Sequence, residues 1–194
     1  CLSQYRQQES TIPTSLDFIG MPVPSKNNLL RYLKFVALAQ SLGFRGVGRL
    51  YLTPEALSLI EGKYSSIISQ YFKIGRFKII QLHDSSSSSY YHAFSKIQAF
   101  VTFSNGSFFT DVLGSSSRIK EALMLNKPVI SNSDSINDFA SRVHNKISLI
   151  EFPFDSNDVI KCIKKLHDPD FLSIDTSEHW LQYCDSPMWA ASLF

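Results

Sequence analysis

The chain has 194 residues, of which 44% are hydrophobic and 13% aromatic, so it can bury a substantial core and is not intrinsically disordered. Its 19 basic and 17 acidic side chains give a formal net charge of +2, and no overall field favours nucleic acid or an anionic membrane. The widely spaced Cys1, Cys162 and Cys184 argue against a disulfide framework and indicate a reducing compartment. No run approaches the ~20 apolar residues of a transmembrane segment. We therefore expect a cytoplasmic protein.

The first half of the chain alternates between apolar strands and helical stripes. A strand is predicted from Leu16 to Gly20, and Asn27 or Asn28 can cap the helix that follows and that Gly43 ends. The apolar stripe of this helix consists of Leu29, Leu30, Leu33, Val36 and Ala37. Further strands are predicted over 47–52 and 77–82, separated by a helix that begins at Pro54 and another over 64–72.

The second half continues this alternation. Helices are predicted over 90–96, from about 118, near 137–143 and after a cap at Asp155 or Ser156, with strands over 99–103, 128–131 and 147–152. Strands and helices that alternate at this spacing predict an α/β fold with a doubly wound parallel sheet. The aromatic segment after Asp168 departs from the pattern, so we divide the chain into a domain at 14–167 and a helical tail at 168–194.

The start of the helix near residue 118 is the first candidate ligand site. Ser115, Ser116 and Ser117 offer N-cap side chains, and the backbone N–H groups that follow them have no helical partner. Such a helix start attracts phosphate. The serines could also serve only as caps, and the two roles are compatible.

Glu121 is predicted to lie close to this anion site. On a helical wheel the buried face carries Ile119, Ala122 and Leu123. Ser117 and Glu121, four residues apart, lie together on another side of the helix. A carboxylate beside an anion site suits the hydroxyls of a ribose. The alternative is an exposed glutamate that pairs with Arg118 or Lys120.

These features resemble the donor-binding half of GT-B glycosyltransferases, in particular the retaining, group 1 or family 4-like enzymes. Their signature ends in a glutamate, a small residue and a G-K-P-V-I-like strand, and here Glu121-Ala122-Leu123 is followed by Asn126-Lys127-Pro128-Val129-Ile130. A second similarity lies after Gly20, where Pro22, Pro24, Ser25 and Lys26 occupy the place of the family's basic phosphate-binding loop. The resemblance covers roughly residues 14 to 167.

The resemblance implies a Rossmann-like domain, one half of a GT-B fold, that binds a nucleotide-diphospho-sugar. Lys26 would contact the diphosphate, although it could also be only a solvated lysine before a helix. Glu121 would contact the ribose, and the helix N–H groups would stabilise the leaving group without a cofactor. His83, at the end of a strand, could contact the base or a phosphate, or could belong only to the loop surface. The five histidines show no ligand spacing, so no metal site is expected.

Two features depart from the family pattern. The family often has an arginine as well as the lysine in its basic loop, but residues 21–25 contain none, so the loop would hold the diphosphate less strongly. The family has an earlier glutamate eight positions before the second, where this chain has Leu113, and Asp111 is the nearest acid for the contact with the donor sugar. The alternative is therefore a degenerate, non-catalytic GT-B-like domain that binds a nucleotide or a protein. An unrelated receiver-like or flavodoxin-like module is a further alternative, but Asp17 alone does not supply the clustered acids of a receiver.

The resemblance also bears on partners. A GT-B enzyme needs two such domains, and this chain begins with Cys1 rather than methionine, so we expect it to be part of a longer hexosyltransferase. The acceptor would then bind to an N-terminal domain or partner chain, and the isolated chain would be inactive. We expect the chain to bind a nucleotide sugar and not to bind nucleic acid.

Overall fold

The computed structural model describes residues 12–19, 28–82, 87–103, 117–132, 146–151 and 153–176. Its strands are β1 (Ser15–Ile19), β2 (Val47–Leu52), β3 (Phe77–Gln81), β4 (Phe100–Thr102), β5 (Val129–Ser131) and β6 (Ile147–Leu149). They form one sheet in the order β3-β2-β1-β4-β5-β6, and all neighbours are parallel. This is the doubly wound order, in which the two halves meet where β1 lies beside β4. The predicted fold class is confirmed.

The helices of the described residues are α1 (Asn28–Ser41), α2 (Pro54–Leu59), α3 (Ser65–Ile74), α4 (Ser87–Ser95), α5 (Ser117–Met124), α6 (Ser156–Leu166) and α7 (Pro169–Ser173). A π-helical segment, Ile60–Tyr64, joins α2 to α3, so the two helices that were predicted as separate are continuous. As predicted, α2 begins at Pro54, and the hydroxyl of Thr53 caps it by accepting from the Ala56 N–H. Among these helices none is long and apolar enough to cross a membrane.

Alternate residues of the strands face two separate apolar layers. Leu16 and Phe18 of β1 join the layer built from α1, α3, α6 and α7. Ile19 joins the opposite layer, built from α4 and α5. The predicted buried face of α5 is confirmed, since Ile119 and Ala122 are almost fully buried, together with Leu123. Burial on both faces is typical of a parallel sheet, and α4 and α5 cover the same one of these faces.

The buried face of α1 is wider than the predicted stripe. Three predicted residues are buried: Leu29, Leu33 and Val36. Leu30 and Ala37 are only half-buried, whereas Tyr32 and Phe35, which the stripe omitted, are fully buried. The reason is that α1 packs against the sheet and also against α3 and α6, so side chains on both flanks of the stripe lose contact with water.

Two helices end in the same left-handed turn. After α1, Gly43 has φ of +104°, and the N–H of Phe44 donates to the carbonyl five residues earlier at 2.9 Å. After α5, Asn126 has φ of +57°, and the N–H of Lys127 donates to the carbonyl five residues earlier at 2.8 Å. These Schellman ends favour glycine or asparagine. Asn126, which stands where the GT-B signature has glycine, thus keeps the required backbone conformation.

The first residues of the predicted tail pack onto the sheet domain. Phe171 and Leu172 of α7 are buried in the layer that contains α1. Thr176 is fully buried, and its hydroxyl donates to the Leu123 carbonyl at 2.7 Å. β6 ends at Leu149, before the predicted end at 152. The helix predicted near 137–143 and the rest of the tail, 177–194, lie outside the described residues.

Candidate functional site

The expected ligand position follows from the sheet order. In a doubly wound sheet, ligands bind outside the carboxyl ends of the strands where the strand order reverses, which here is between Ile19 of β1 and Thr102 of β4. α4 leads from β3 back to β4, and α5 leads from β4 back to β5. Because such crossover helices run from the carboxyl edge to the amino edge of a parallel sheet, the first turns of α4 and α5 lie at the carboxyl edge.

Among the predicted site residues, Glu121 has a side chain that the structure describes. It lies about 6 Å along the α5 axis from Ser117, at the helical rise of ~1.5 Å per residue. Its Cα–Cβ bond tilts toward the start of the helix, so its half-buried carboxyl group lies over the first turn. Its Oε2 accepts a hydrogen bond of 2.9 Å from the Tyr90 hydroxyl. The side chains of Arg118 and Lys120, the alternative partners, lie outside the described residues.

Tyr90 was not foreseen as part of the site. Its ring packs edge-on against Tyr91 and tilted against Phe94, with ring centroids 5.5 Å apart in both pairs. Phe94 is fully buried and lies 5.5 Å from the ring of Phe100 at the start of β4. A chain of aromatic contacts therefore connects the sheet to the hydroxyl that holds Glu121.

The other predicted ligand-binding side chains lie outside the described residues. They are Lys26, His83, Asp111, Ser115, Ser116 and Ser117, and Leu113 lies outside as well. The helix start that the serines predicted is confirmed, because α5 begins at Ser117. The contacts of these side chains with phosphate, base or sugar stay predictions.

A buried charge cluster lies on the α4 and α5 face of the sheet, toward the amino ends of the strands. Asp17 is fully buried and accepts hydrogen bonds from Arg49 Nε at 2.6 Å, Arg49 Nη2 at 3.0 Å, Ser15 Oγ at 2.8 Å and the Gln98 N–H at 2.6 Å. Burial, with the nearby Asp17 charge, raises the pKa of Tyr51 to about 12. This cluster ties β1, β2 and the turn before β4 together, and Asp17 has the role of a structural carboxylate.

A buried lysine lies at the amino edge of β6. The ammonium of Lys146 donates to the Asn126 side-chain oxygen at 2.7 Å and to the Asn126 carbonyl at 3.2 Å. The Thr176 N–H donates to the same side-chain oxygen at 3.3 Å. Burial lowers the pKa of Lys146 to about 8, although the charge of Asp175 opposes the shift. This cluster fastens the end of α5 to β6 and to the segment after α7.

Comparisons with known proteins give matches at the level of structure. No protein-family model and no curated protein sequence matches the chain. A structure of S. aureus TarM in complex with UDP matches with a TM-score of 0.67 at 12% identity, over 97% of this chain and 35% of TarM. WaaG, a glycosyltransferase involved in lipopolysaccharide biosynthesis, matches with a TM-score of 0.58 at 14% identity, over 98% of this chain and 50% of WaaG.

A third match is similar in length to this chain. The catalytic domain of cholesterol-alpha-glucosyltransferase from Helicobacter pylori matches with a TM-score of 0.55 at 14% identity, over 88% of this chain and 99% of that domain. This chain spans only about a third to a half of the length of TarM and WaaG. At these identities the likeness concerns the fold, and it agrees with the strand order. The chain has the Rossmann-like fold of one half of a GT-B glycosyltransferase.

Proposed function

We propose that this chain is the donor-binding half of a GT-B glycosyltransferase and holds a nucleotide sugar at the carboxyl edge of its sheet. The observation that carries the proposal is the position of Glu121, one helical turn beyond the start of α5 and next to the switch in strand order. A carboxylate there is an acceptor for ribose hydroxyls. The TarM structure contains UDP, which makes UDP the first nucleotide to test.

The start of α5 would bind the diphosphate of the donor. The first N–H groups of a helix have no intrahelical acceptor, and the helix dipole favours an anion at that end. When the glycosidic bond breaks, the diphosphate leaving group gains negative charge, which these N–H groups would stabilise. Lys26 is predicted to add a positive charge and Asp111 a contact with the sugar.

The acceptor and the transfer step belong to the proposed second half of the enzyme. The chain spans only a third to a half of TarM and WaaG, so we assign the acceptor site to a further domain or partner chain. We propose residues 14–167 as the nucleotide-sugar-binding domain and 168–194 as a tail that extends from it. Residues 1–194 alone should then bind a donor nucleotide and transfer no sugar.

Calorimetric titration of UDP, GDP and ADP into wild type and Glu121→Gln tests the proposal. Glutamine keeps the length and helix propensity of glutamate, and its oxygen can still accept from Tyr90, but it lacks the charge. Hydrogen bonds to a charged acceptor are worth about 1.5 to 3 kcal/mol, so nucleotide affinity should fall about tenfold or more while thermal stability barely changes.

Glu61→Gln is the matched control. Glu61 is an exposed glutamate of the π-helical segment, on the opposite face of the sheet from α5, and its replacement should leave nucleotide affinity unchanged. Equal affinities of wild type and Glu121→Gln would refute the ribose assignment. If wild type binds none of the three nucleotides, the donor-binding function is refuted.

A further inference from the structure

A hydrogen bond joins α4 and α5, two of the helices that begin at the carboxyl edge of the sheet. The Tyr90 hydroxyl on α4 donates to Oε2 of Glu121 on α5 at 2.9 Å. We propose that Tyr90 is a positioning residue for Glu121, which it holds in the orientation that accepts hydrogen bonds from the ribose. This inference rests on the proposed function and adds to it a second residue that determines the preference for ribose.

Tyr90 is suited to this role because its own position is well defined. Its ring packs on Phe94, which is fully buried and packs in turn on Phe100 of β4. A tyrosine has two side-chain torsions and loses little entropy when it is held, whereas a free glutamate loses considerably more. Tyr90 therefore orders the Glu121 side chain before the nucleotide binds, and less ordering remains to oppose binding.

The chemical nature of the group that donates the hydrogen bond to Glu121 also matters. The Tyr90 hydroxyl is neutral, so its hydrogen bond orients the Glu121 carboxylate without adding a positive charge. Asp17 shows the opposite arrangement, since Arg49 donates to both of its carboxylate oxygens. The two hydrogen-bond donors thus differ in role: Arg49 pairs with Asp17 and holds strands together, whereas the Tyr90 hydroxyl orients Glu121.

The experiment compares each nucleoside diphosphate with its 2′,3′-dideoxy analogue, which lacks the ribose hydroxyls. Calorimetry gives both affinities for wild type, Glu121→Gln, Tyr90→Phe and Tyr91→Phe. Tyr90→Phe removes only the donor hydroxyl and keeps the ring packing. Tyr91→Phe removes the same atom from the ring that packs edge-on against Tyr90, and it is the matched control.

We expect wild type to prefer the ribose form and Glu121→Gln to lose this preference. Tyr90→Phe should reduce the preference for ribose roughly threefold to tenfold, because Glu121 is no longer ordered before the nucleotide binds. The affinity for the dideoxy form should change little. Tyr91→Phe should retain the wild-type preference. This pattern would support the inference, because a hydroxyl that only fastened α4 to α5 would change the melting temperature and leave the preference unaltered.

The contrary outcomes are distinct. A Tyr90→Phe variant with a lowered melting temperature and an unchanged ribose preference overturns the positioning role and leaves the proposed function intact. A wild type that binds both forms equally overturns the role of Glu121 in ribose binding, and that of Tyr90 with it. A wild type that binds neither form of UDP, GDP or ADP overturns the proposed function itself.

Discussion

Replacement of Asp17 by leucine should strongly destabilise the domain, because it leaves the charge of Arg49 without its partner. The Asp17 side chain is fully buried, and the Arg49 side chain is 21% exposed. Removal of one partner of a buried ion pair costs about 3 to 5 kcal/mol. Water can reach part of Arg49, so we expect a value near the lower end, about 3 kcal/mol. This loss is a large fraction of the roughly 5 to 15 kcal/mol that stabilises a typical domain.

Urea unfolding followed by circular dichroism measures this loss, and a double-mutant cycle identifies its cause. Arg49→Met should also be costly, but Asp17→Leu with Arg49→Met should cost at least about 2 kcal/mol less than the sum of the single changes, since no unpaired charge remains. Lys161→Ala is the control, because Lys161 lies 3.9 Å from Asp158 in an exposed pair worth at most about 1 kcal/mol. Additive losses, or a loss below about 1 kcal/mol for Asp17→Leu at an unchanged m-value, would refute this account.

Two further predictions concern stability. Asp155→Ala should cost about 1 to 2 kcal/mol in urea unfolding, because its carboxylate caps α6 by accepting from the N–H groups of Asn157 and Asp158, and Asp155→Asn should cost less. The pKa of Lys146 falls from 10.5 to about 8 on folding, so the unfolded chain binds the extra proton and stability should rise with pH across this interval. Relative to Lys146→Met, wild type should gain about 1 to 2 kcal/mol between pH 7.5 and 9.5, and a constant difference would contradict the shift.

Local sequence signals predicted much of the fold. Residues 47–52 were predicted as a strand and form β2 with the same bounds. Gly43 was predicted to end α1, and its positive φ explains why. The sequence analysis predicted a separate helix over 64–72, whereas a π-helical segment that contains Gly62 makes α2 and α3 continuous. A Cβ at Gly62 would meet open space, so this glycine lies on an exposed stretch of helix and makes no turn.

The tertiary partners could not be predicted, because they depend on strand order and register. Asp17 lies directly opposite Arg49 in the parallel pairing of β1 with β2, and Gln98 reaches Asp17 from the turn before β4. A single sequence places these residues 32 and 81 positions apart with no local signal. Likewise, Glu121 was found from its helix, whereas Tyr90 becomes its partner only because α4 and α5 cover the same face of the sheet.

The described charged residues fall into two groups, one that stabilises the fold and one that we propose to bind the ligand. The Asp17 and Arg49 pair and the Lys146 cluster lie toward the amino ends of the strands, where their hydrogen bonds join elements that are neighbours in space. Glu121 lies near the carboxyl edge and is held by a neutral hydroxyl. Changes in the first group should therefore alter unfolding free energy with little effect on nucleotide affinity in the folded protein. Glu121→Gln should do the reverse, since glutamine keeps the size and helix propensity of glutamate and its oxygen can still accept from the Tyr90 hydroxyl.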